Sequence, residues 1–247
     1  LILGDDGSTD GSGETCDEYS KKDSRISVIH KTNGGLVSAR KAGAEVSKGD
    51  YVVCLDGDDW IGEKYLENFA STIEEYQPDV IITGCVWWKS ENDFTTAKVS
   101  SGVYGYPLSA GFYDKEKIQD LIFPHLIEDR KSLNIQNSVW GKCFKRELYV
   151  PVQLSVDDSV RMGEDACVVK PCISKAEKIV VLDNAEYFYR QLQISMTRNS
   201  SSYKWNSPEV ISLHLEKQIN PLTEDFQNQI YRNCVHLLFN VAVTKFY

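Results

Sequence analysis

The chain has 247 residues, 42% of them hydrophobic, with 27 basic and 36 acidic side chains for a formal charge of −9. This length and composition are ordinary for a globular protein of one large or two small domains. The acidic balance argues against a protein that coats nucleic acid, since such proteins usually present a basic face.

The cysteines and histidines indicate neither a zinc site nor disulfide bonds. The seven cysteines are an odd number without CxxC pairs, and the four histidines are isolated from one another. Zinc ligands recur at short spacing, and disulfides are rare in the cytosol, so we interpret the cysteines as reduced core thiols of a cytosolic protein. No window reaches the roughly 18 to 20 apolar residues of a membrane span.

The first 85 residues alternate short strands with helices. Strands are predicted at 1–3, 26–30, 51–55 and 80–83, and helices at 13–22, 36–46 and 63–76. This alternation predicts an α/β fold with a mostly parallel sheet and helices on its faces. Because Leu1 starts in a strand already under way and Tyr247 lies inside a helical pattern, we expect both ends to be cuts, with a first strand missing.

Later elements follow a less regular pattern. We predict β-hairpins over 85–113, a helix at 114–123, a helix from Gly163 to about Lys175, and strands at 179–182 and 185–189. From Phe226 to Phe246, apolar residues recur every three or four positions, which predicts an amphipathic helix packed against the domain. A membrane-surface or oligomer contact is the alternative, and the membrane version is weakened because only Arg232 and Lys245 are basic in this stretch.

Two acidic segments come directly after predicted strands, Asp5 to Asp10 after the first and Asp56 to Asp59 after the third. Ligands bind at the carboxyl edge of an open α/β sheet, and carboxylates there suit a divalent cation and the hydroxyls or ring N–H groups of a nucleotide. The first segment is also compatible with a capped turn or part of a calcium loop, although such a loop is flanked by helices. The second is also compatible with a haloacid-dehalogenase-like phosphatase, whose acidic pair usually lies on the first strand.

Two further segments carry groups suited to ligand binding. The glycines of Asn33-Gly34-Gly35 bring backbone N–H groups close to a ligand at a helix start, and Arg40 reaches a base or phosphate. Glu164 and Asp165 open another predicted helix, where a carboxylate is well oriented to accept a proton. Taken separately, a glycine turn with a solvated arginine explains the first segment equally well. A helix cap is a common alternative for the second, and it is compatible with a catalytic base.

Together, and in this order and spacing, the segments resemble a family 2 glycosyltransferase of GT-A fold. The motifs are Asp5-Asp6-Gly7-Ser8-Thr9-Asp10, Asn33-Gly34-Gly35 with Ser38-Ala39-Arg40, Asp56-Gly57-Asp58-Asp59-Trp60, and Gly163-Glu164-Asp165. The likeness runs to about Arg198, with Trp140-Gly141-Lys142 and the stretch from Tyr187 to Arg198 typical of bacterial polysaccharide enzymes. It implies a Rossmann-like GT-A domain at 1–200, with a nucleotide-sugar half (1–100) and an acceptor half (101–200), and a helical C-terminal extension at 201–247.

The resemblance also implies a role for each site residue. Asp6 would bind the uracil or ribose and Arg40 the base or pyrophosphate, while Asp165 would be the general base with Glu164 supporting the acceptor. The full nucleotide-sugar set is Asp5, Asp6, Gly35, Arg40, Asp56 and Gly57. Asp58, with Asp56, would coordinate Mn²⁺ or Mg²⁺ on the two phosphates.

The implied reaction is the inverting transfer of a hexosyl or N-acetylhexosaminyl group from a UDP-sugar to a hydroxyl of a saccharide or lipid-linked acceptor, in building the cell envelope. Such an enzyme would be cytoplasmic, with peripheral association at the inner face of the membrane and no nucleic-acid partner. The alternatives are a non-catalytic sugar-nucleotide-binding module and another metal-dependent nucleotidyltransferase or phosphatase. Trp87, Trp88 and Trp140 would either stack on sugar rings or pack in the core.

Overall fold

The computed structural model of the protein describes residues 1–101, 105–191, 207–221 and 223–246. For residues 244–246 it describes the backbone alone. The strands are β1 (Ile2–Asp5), β2 (Ser27–His30), β3 (Tyr51–Val53), β4 (Trp60–Ile61), β5 (Val80–Ile82), β6 (Cys85–Ser90), β7 (Asp93–Ala97), β8 (Gly111–Tyr113), β9 (Lys142–Lys145), β10 (Ile179–Val181) and β11 (Tyr187–Arg190). The helices are α1 (Ser12–Lys22), α2 (Leu36–Val46), α3 (Tyr65–Tyr76), α4 (Lys115–Lys117), α5 (Arg146–Ser155), α6 (Glu164–Lys175), α7 (Ser207–Gln218) and α8 (Glu224–Phe246).

The described strands form mixed sheets. The order in the central sheet is β3-β9-β5-β10-β8, β1 pairs with β2, and the third sheet has the order β4-β11-β6-β7. Three of these pairs are parallel, β1–β2, β5–β10 and β6–β11, and the other five are antiparallel. The expectation of a mostly parallel sheet is therefore corrected. The main reason is β9, which lies between β3 and β5 and runs against both, a pairing that the pattern of the first 85 residues does not contain.

Most predicted elements are confirmed, with ends that move by one or two residues. Helix α2 has the predicted bounds, α6 begins at Glu164, and β6 and β7 form the expected hairpin. The helix predicted at 114–123 is instead a short α-helical turn, α4, followed by a π-helical turn at Ile118–Ile122 and a 3₁₀ turn at Phe123–His125. Helix α5 was not predicted, and Pro151 inside it is the kind of residue that argues against a helix interior.

Apolar layers cover both faces of the central sheet. Because successive strand residues point to opposite faces, Val80 and Ile82 join a large cluster with helices α2, α5 and α6, whereas Ile81 joins a second cluster with helix α3. All three residues are at most 1% exposed. The sheet therefore lies between helical layers, as an α/β fold requires.

The C-terminal helices pack onto the larger of these clusters. Phe226 and Ile230 of α8 are 1% and 2% exposed and belong to it, which confirms the predicted packing of an amphipathic tail helix. Tyr231 and Phe239, on the other side of α8, are exposed. Within the described part of the chain, no helix is long and apolar enough to cross a membrane. The domain boundary placed near residue 200 stays a prediction.

A buried glutamine fixes the position of helix α8. The side-chain oxygen of Gln229 accepts the backbone N–H groups of Ile127 at 2.9 Å and Glu128 at 3.3 Å. Its amide nitrogen donates to the carbonyl of Phe123 at 2.8 Å and to the carboxylate of Asp225 at 2.7 Å. Because Gln229 is fully buried, its side chain takes the place of water as the hydrogen-bond partner of these backbone groups.

We expect Gln229→Ala to lower the free energy of unfolding by about 2 to 3 kcal/mol, because buried N–H and C=O groups lose their partners. Gln227→Ala, at an exposed position of the same helix, is the matched control and should change stability by less than about 0.5 kcal/mol. Urea unfolding followed by circular dichroism measures both. Equal effects at the two positions would contradict the anchoring role of Gln229.

Candidate active site

The carboxylate of Asp6 organises the glycine turn that precedes helix α2. Its oxygens accept the backbone N–H of Gly35 at 2.7 Å and that of Gly34 at 3.0 and 3.1 Å, and the ammonium of Lys31 at 2.5 Å. Although partial burial acts in the opposite direction, these hydrogen bonds lower the pKa of Asp6. The first acidic segment and the glycine segment, 28 to 29 residues apart, thus form one structure, a contact that the sequence analysis did not predict.

Asp5 lies on the helix α1 side of this turn. Its carboxylate accepts the Ser8 backbone N–H at 2.8 Å and contacts Nδ1 of His30 at 2.8 Å, while Nε2 of His30 contacts Asp17 at 3.0 Å. Hydrogen bonds from His30 and Ser8 lower the pKa of Asp5 to about 2. The structure therefore gives Asp5 hydrogen-bond partners within the first βαβ unit, and its assignment to the nucleotide-sugar site stays a prediction.

Arg40 joins two carboxylates that come from distant parts of the chain. Its Nη2 donates to Asp56, in the turn after β3, at 3.0 Å, and its Nη1 donates to Asp165, in the first turn of α6. The Arg40 side chain is 10% exposed. Although burial acts in the opposite direction, Asp165 and Asp56 raise the pKa of Arg40, so the guanidinium stays charged.

The other acidic groups around this ion pair have raised pKa values. Burial, together with the neighbouring Asp165, raises the pKa of Glu164 to about 7. Burial also raises the pKa of Asp56, although Arg40 acts to lower it. The predicted residues Arg40, Asp56, Glu164 and Asp165 are therefore brought together at one place, where the cost of clustering carboxylates is offset by one cation.

The three aspartates of the second acidic segment have different environments. Asp59 accepts the hydroxyl of Tyr187 at 2.6 Å and the backbone N–H of Arg190 at 2.8 Å, and burial raises its pKa to about 6. The Tyr187 hydroxyl in turn accepts the backbone N–H of Asp56 at 3.3 Å. Asp58 is exposed, and a Cβ on exposed Gly57 would meet no atom within 4 Å. Asp59 therefore ties the turn to β11 and leaves Asp58 facing solvent.

The structure places at this site several residues to which the sequence analysis assigned no role. Arg161 donates to the carbonyl of Gly34 at 2.9 Å, which ties the segment before α6 to the glycine turn. The Asp165 carboxylate also accepts the backbone N–H of Val139 at 3.1 Å. Fully buried Lys142, whose pKa burial lowers to about 7, donates to the carbonyl of Ser138 at 2.6 Å and holds this loop. No local signal identifies the Arg161 and Asp165 contacts, because they join residues 127 and 26 positions apart.

The aromatic residues near the site pack mainly against one another. Trp140 is 7% exposed and stacks on Tyr187 and Tyr189 with ring centroids 4.8 and 5.2 Å apart, so it packs in the core. Trp88 lies edge-on to Trp60 at 4.9 Å. The Ser195 to Arg198 part of the resemblance lies outside the described residues.

Comparison with known proteins shows which family the chain matches. The family model described as Glycosyl transferase family 2 matches residues 1–134. The uncharacterized glycosyltransferase EpsJ of Bacillus subtilis is 32% identical over 221 residues, covering 88% of this chain and 58% of EpsJ. The glycosyltransferase GlyA of Streptococcus pneumoniae is 32% identical over 200 residues, covering 80% of this chain and 27% of GlyA.

The fold also matches a crystal structure of S. aureus TarS 1-349 in complex with UDP-GlcNAc. The TM-score is 0.67 at 20% identity, over 97% of this chain and 63% of the TarS chain. This likeness confirms the predicted GT-A fold. The chain spans 58% and 27% of the lengths of EpsJ and GlyA.

Gly35 is a position that only glycine fits. Its φ of +83° and ψ of 174° are essentially restricted to glycine, and a Cβ there would lie 1.6 Å from Nη1 of Arg161. We expect Gly35→Ala to lower the free energy of unfolding by about 1 to 3 kcal/mol. Gly43 lies inside helix α2, which Gly35 precedes, and a Cβ added to Gly43 meets no atom within 4 Å. Gly43→Ala should therefore raise the free energy of unfolding by about 0.5 to 1 kcal/mol. Chemical denaturation of the two variants checks this, and destabilisation by both would contradict it.

The raised pKa of Glu164 predicts a pH-dependent stability. Because the pKa in the folded state, about 7, exceeds the ordinary value of 4.5, stability falls as pH rises through this range. Glu164→Gln removes the ionisation, so its melting temperature should exceed that of the wild type by more at pH 8 than at pH 5. Glu14→Gln, at an exposed first-turn position of α1, should show no such trend between pH 6 and 8. A difference for Glu164→Gln that is constant with pH would contradict the assignment.

Proposed function

The chain belongs to glycosyl transferase family 2, and from this premise we propose that it transfers a sugar from a UDP-sugar to an acceptor hydroxyl with inversion of configuration. The observation that carries the proposal is the Arg40 bridge between Asp56 and Asp165. It joins a carboxylate at the end of a strand, where a nucleotide binds in such sheets, to one in the first turn of a helix, oriented to accept a proton.

The donor side lies around the start of helix α2. Asp6 holds the turn at Gly34 and Gly35, and the backbone of such a turn, together with the free N–H groups of the helix start, suits an anionic ligand. In the proposal, Asp6 and Asp56 contact the uridine and Gly57 lets the diphosphate approach the backbone. S. aureus TarS, which has the same fold, was crystallised with UDP-GlcNAc, which supports a UDP-sugar donor here.

The residues of the acidic turn fit a divalent cation that arrives with the donor. Among the described residues, no group of three or more His, Cys, Asp or Glu is arranged to hold a metal ion by itself. Mg²⁺ and Mn²⁺ are often held by one or two carboxylates together with substrate phosphates, and exposed Asp58 fits that role, with Asp56 beside it. When bound, the cation neutralises charge that develops on the leaving diphosphate.

Asp165 is the proposed general base. One of its oxygens accepts from Arg40 and the other from Val139, which fixes the carboxylate on two sides. A carboxylate has about four acceptor positions, so lone pairs remain for the acceptor hydroxyl. Asp165 takes the hydroxyl proton as the oxygen attacks the anomeric carbon, and the single displacement gives a β-linked product from an α-linked donor. General-base help of this kind contributes about 10²- to 10⁴-fold.

The proposed acceptor is a saccharide or lipid-linked saccharide of the bacterial cell envelope, placed with support from Glu164. The transferred group is a hexose or an N-acetylhexosamine. The bacterial relatives EpsJ and GlyA are both named glycosyltransferases, which supports sugar transfer by this chain. Seven free thiols, four of them buried, fit a reducing compartment, and the proposal places the enzyme in the cytoplasm at the inner face of the membrane.

Two variants test the donor site and the base separately. We expect calorimetric titration of UDP to show Mn²⁺-dependent binding by the wild type, and Asp58→Asn to lose that dependence because the cation loses its exposed carboxylate. Asp165→Asn should bind UDP nearly as the wild type does, while UDP release in the presence of UDP-sugars and saccharide acceptors falls at least about 10²-fold. Asp93→Asn, at a β7 side chain that is 59% exposed, is the matched control and should behave as the wild type.

Other outcomes would support a different function. Mn²⁺-dependent UDP binding without transfer to any acceptor would favour a sugar-nucleotide-binding module. Hydrolysis of a simple phosphomonoester, abolished by Asp58→Asn, would favour a phosphatase. Wild-type turnover by Asp165→Asn would overturn the assignment of the base.

A further inference from the structure

The position of Arg40 differs from the one expected of a residue that binds the nucleotide. The resemblance implies that Arg40 holds the base or pyrophosphate, yet its two terminal nitrogens already donate to Asp56 and Asp165. Its side chain is 10% exposed, against 29% for Asp56 and 20% for Asp165. A guanidinium in this position presents little surface to a ligand.

The bridge is also costly to break. Burial raises the pKa values of Asp56 and Glu164, and the nearby charge of Asp165 acts in the same direction on both. If Arg40 turned toward a nucleotide, the two carboxylates it now pairs would be left facing each other with little solvent, and unpaired charges of that kind strongly destabilise a protein. The planar fork of arginine suits two carboxylates at once, which the single ammonium of a lysine does not.

Both ends of the bridge have fixed positions. Arg40 lies in helix α2, whose first residues follow the turn held by Asp6. Asp165 lies in the first turn of α6, and its second oxygen is held by Val139. The bridge therefore joins two helix starts that are each held by further hydrogen bonds.

We propose that Arg40 is a positioning residue that aligns Asp165 with the donor-side carboxylate Asp56, and that it does not bind the nucleotide. This inference rests on the proposed function for its kinetic consequence, whereas the bridge itself can be tested without activity. Arg40 acts through Asp165: it holds the base where the acceptor hydroxyl meets the anomeric carbon. Loss of that alignment lowers the rate of transfer and leaves donor affinity nearly unchanged.

The first test is a double-mutant cycle on stability. Arg40→Gln, Asp165→Asn and the double variant are unfolded in urea, with Arg25→Gln as the control at an Arg–Asp pair whose arginine is 87% exposed. Arg40→Gln should shift the midpoint much less in the Asp165→Asn background than in the wild type, because the bridge is already broken there. Equal shifts in the two backgrounds would overturn the bridge whether or not the protein is an enzyme.

The second test separates affinity from rate. With Mn²⁺ present, Arg40→Lys and Arg40→Gln should bind UDP within about threefold of the wild type and keep the donor KM, while kcat falls about 10²-fold, the scale of a small misplacement in a catalytic site. Arg40→Lys keeps the charge, so it decides the question if Arg40→Gln does not fold. Added guanidinium should partly restore kcat to Arg40→Ala.

Each remaining result has one meaning. Loss of UDP binding with a folded Arg40→Lys protein would overturn the inference and make Arg40 a nucleotide ligand. Unchanged kcat in that variant would also overturn it. Absence of UDP binding and transfer in the wild type would refute the proposed function, and the stability cycle would then decide the bridge alone.

Discussion

The arrangement of the site depends on a single buried cation that faces several carboxylates. Asp56, Glu164 and Asp165 come together in a poorly solvated place, where burial and mutual repulsion raise the pKa of Asp56 and Glu164. The guanidinium of Arg40 pairs with two of the three. Without it, the end of β3 and the start of α6 would repel each other, so local charge balance is a condition for this packing.

A second connection joins the same parts of the chain. Arg161, just before α6, donates to the carbonyl of Gly34, while Asp6 holds the N–H groups of Gly34 and Gly35 from the other side. The glycine turn is thus fixed by the carboxylate of Asp6, just after β1, and by a guanidinium from a segment more than 120 residues later. These contacts tie the start of α2 to the segment before α6.

The three aspartates of the acidic turn after β3 have different contacts. Asp59 is bonded to Tyr187 and to the backbone of β11, so it holds the turn in place. Asp56 belongs to the ion bridge, and Asp58 is exposed. All three residues are aspartates, so the difference comes from their surroundings. Hydrogen bonds engage Asp59 in holding the turn, whereas Asp58 is exposed to solvent.

The sequence by itself determined the acidic and glycine segments, the bounds of α2, the start of α6 and the fold class, because capping, turn chemistry and periodicity act over a few residues. It did not determine that β9 enters the central sheet antiparallel, that Asp5 pairs with His30, or that Arg40 pairs with Asp165. Those contacts join residues 25 to 125 positions apart, or strands from distant segments. Only tertiary packing brings them together, since pairing energy depends on distance in space and on solvent exclusion, which no local pattern records.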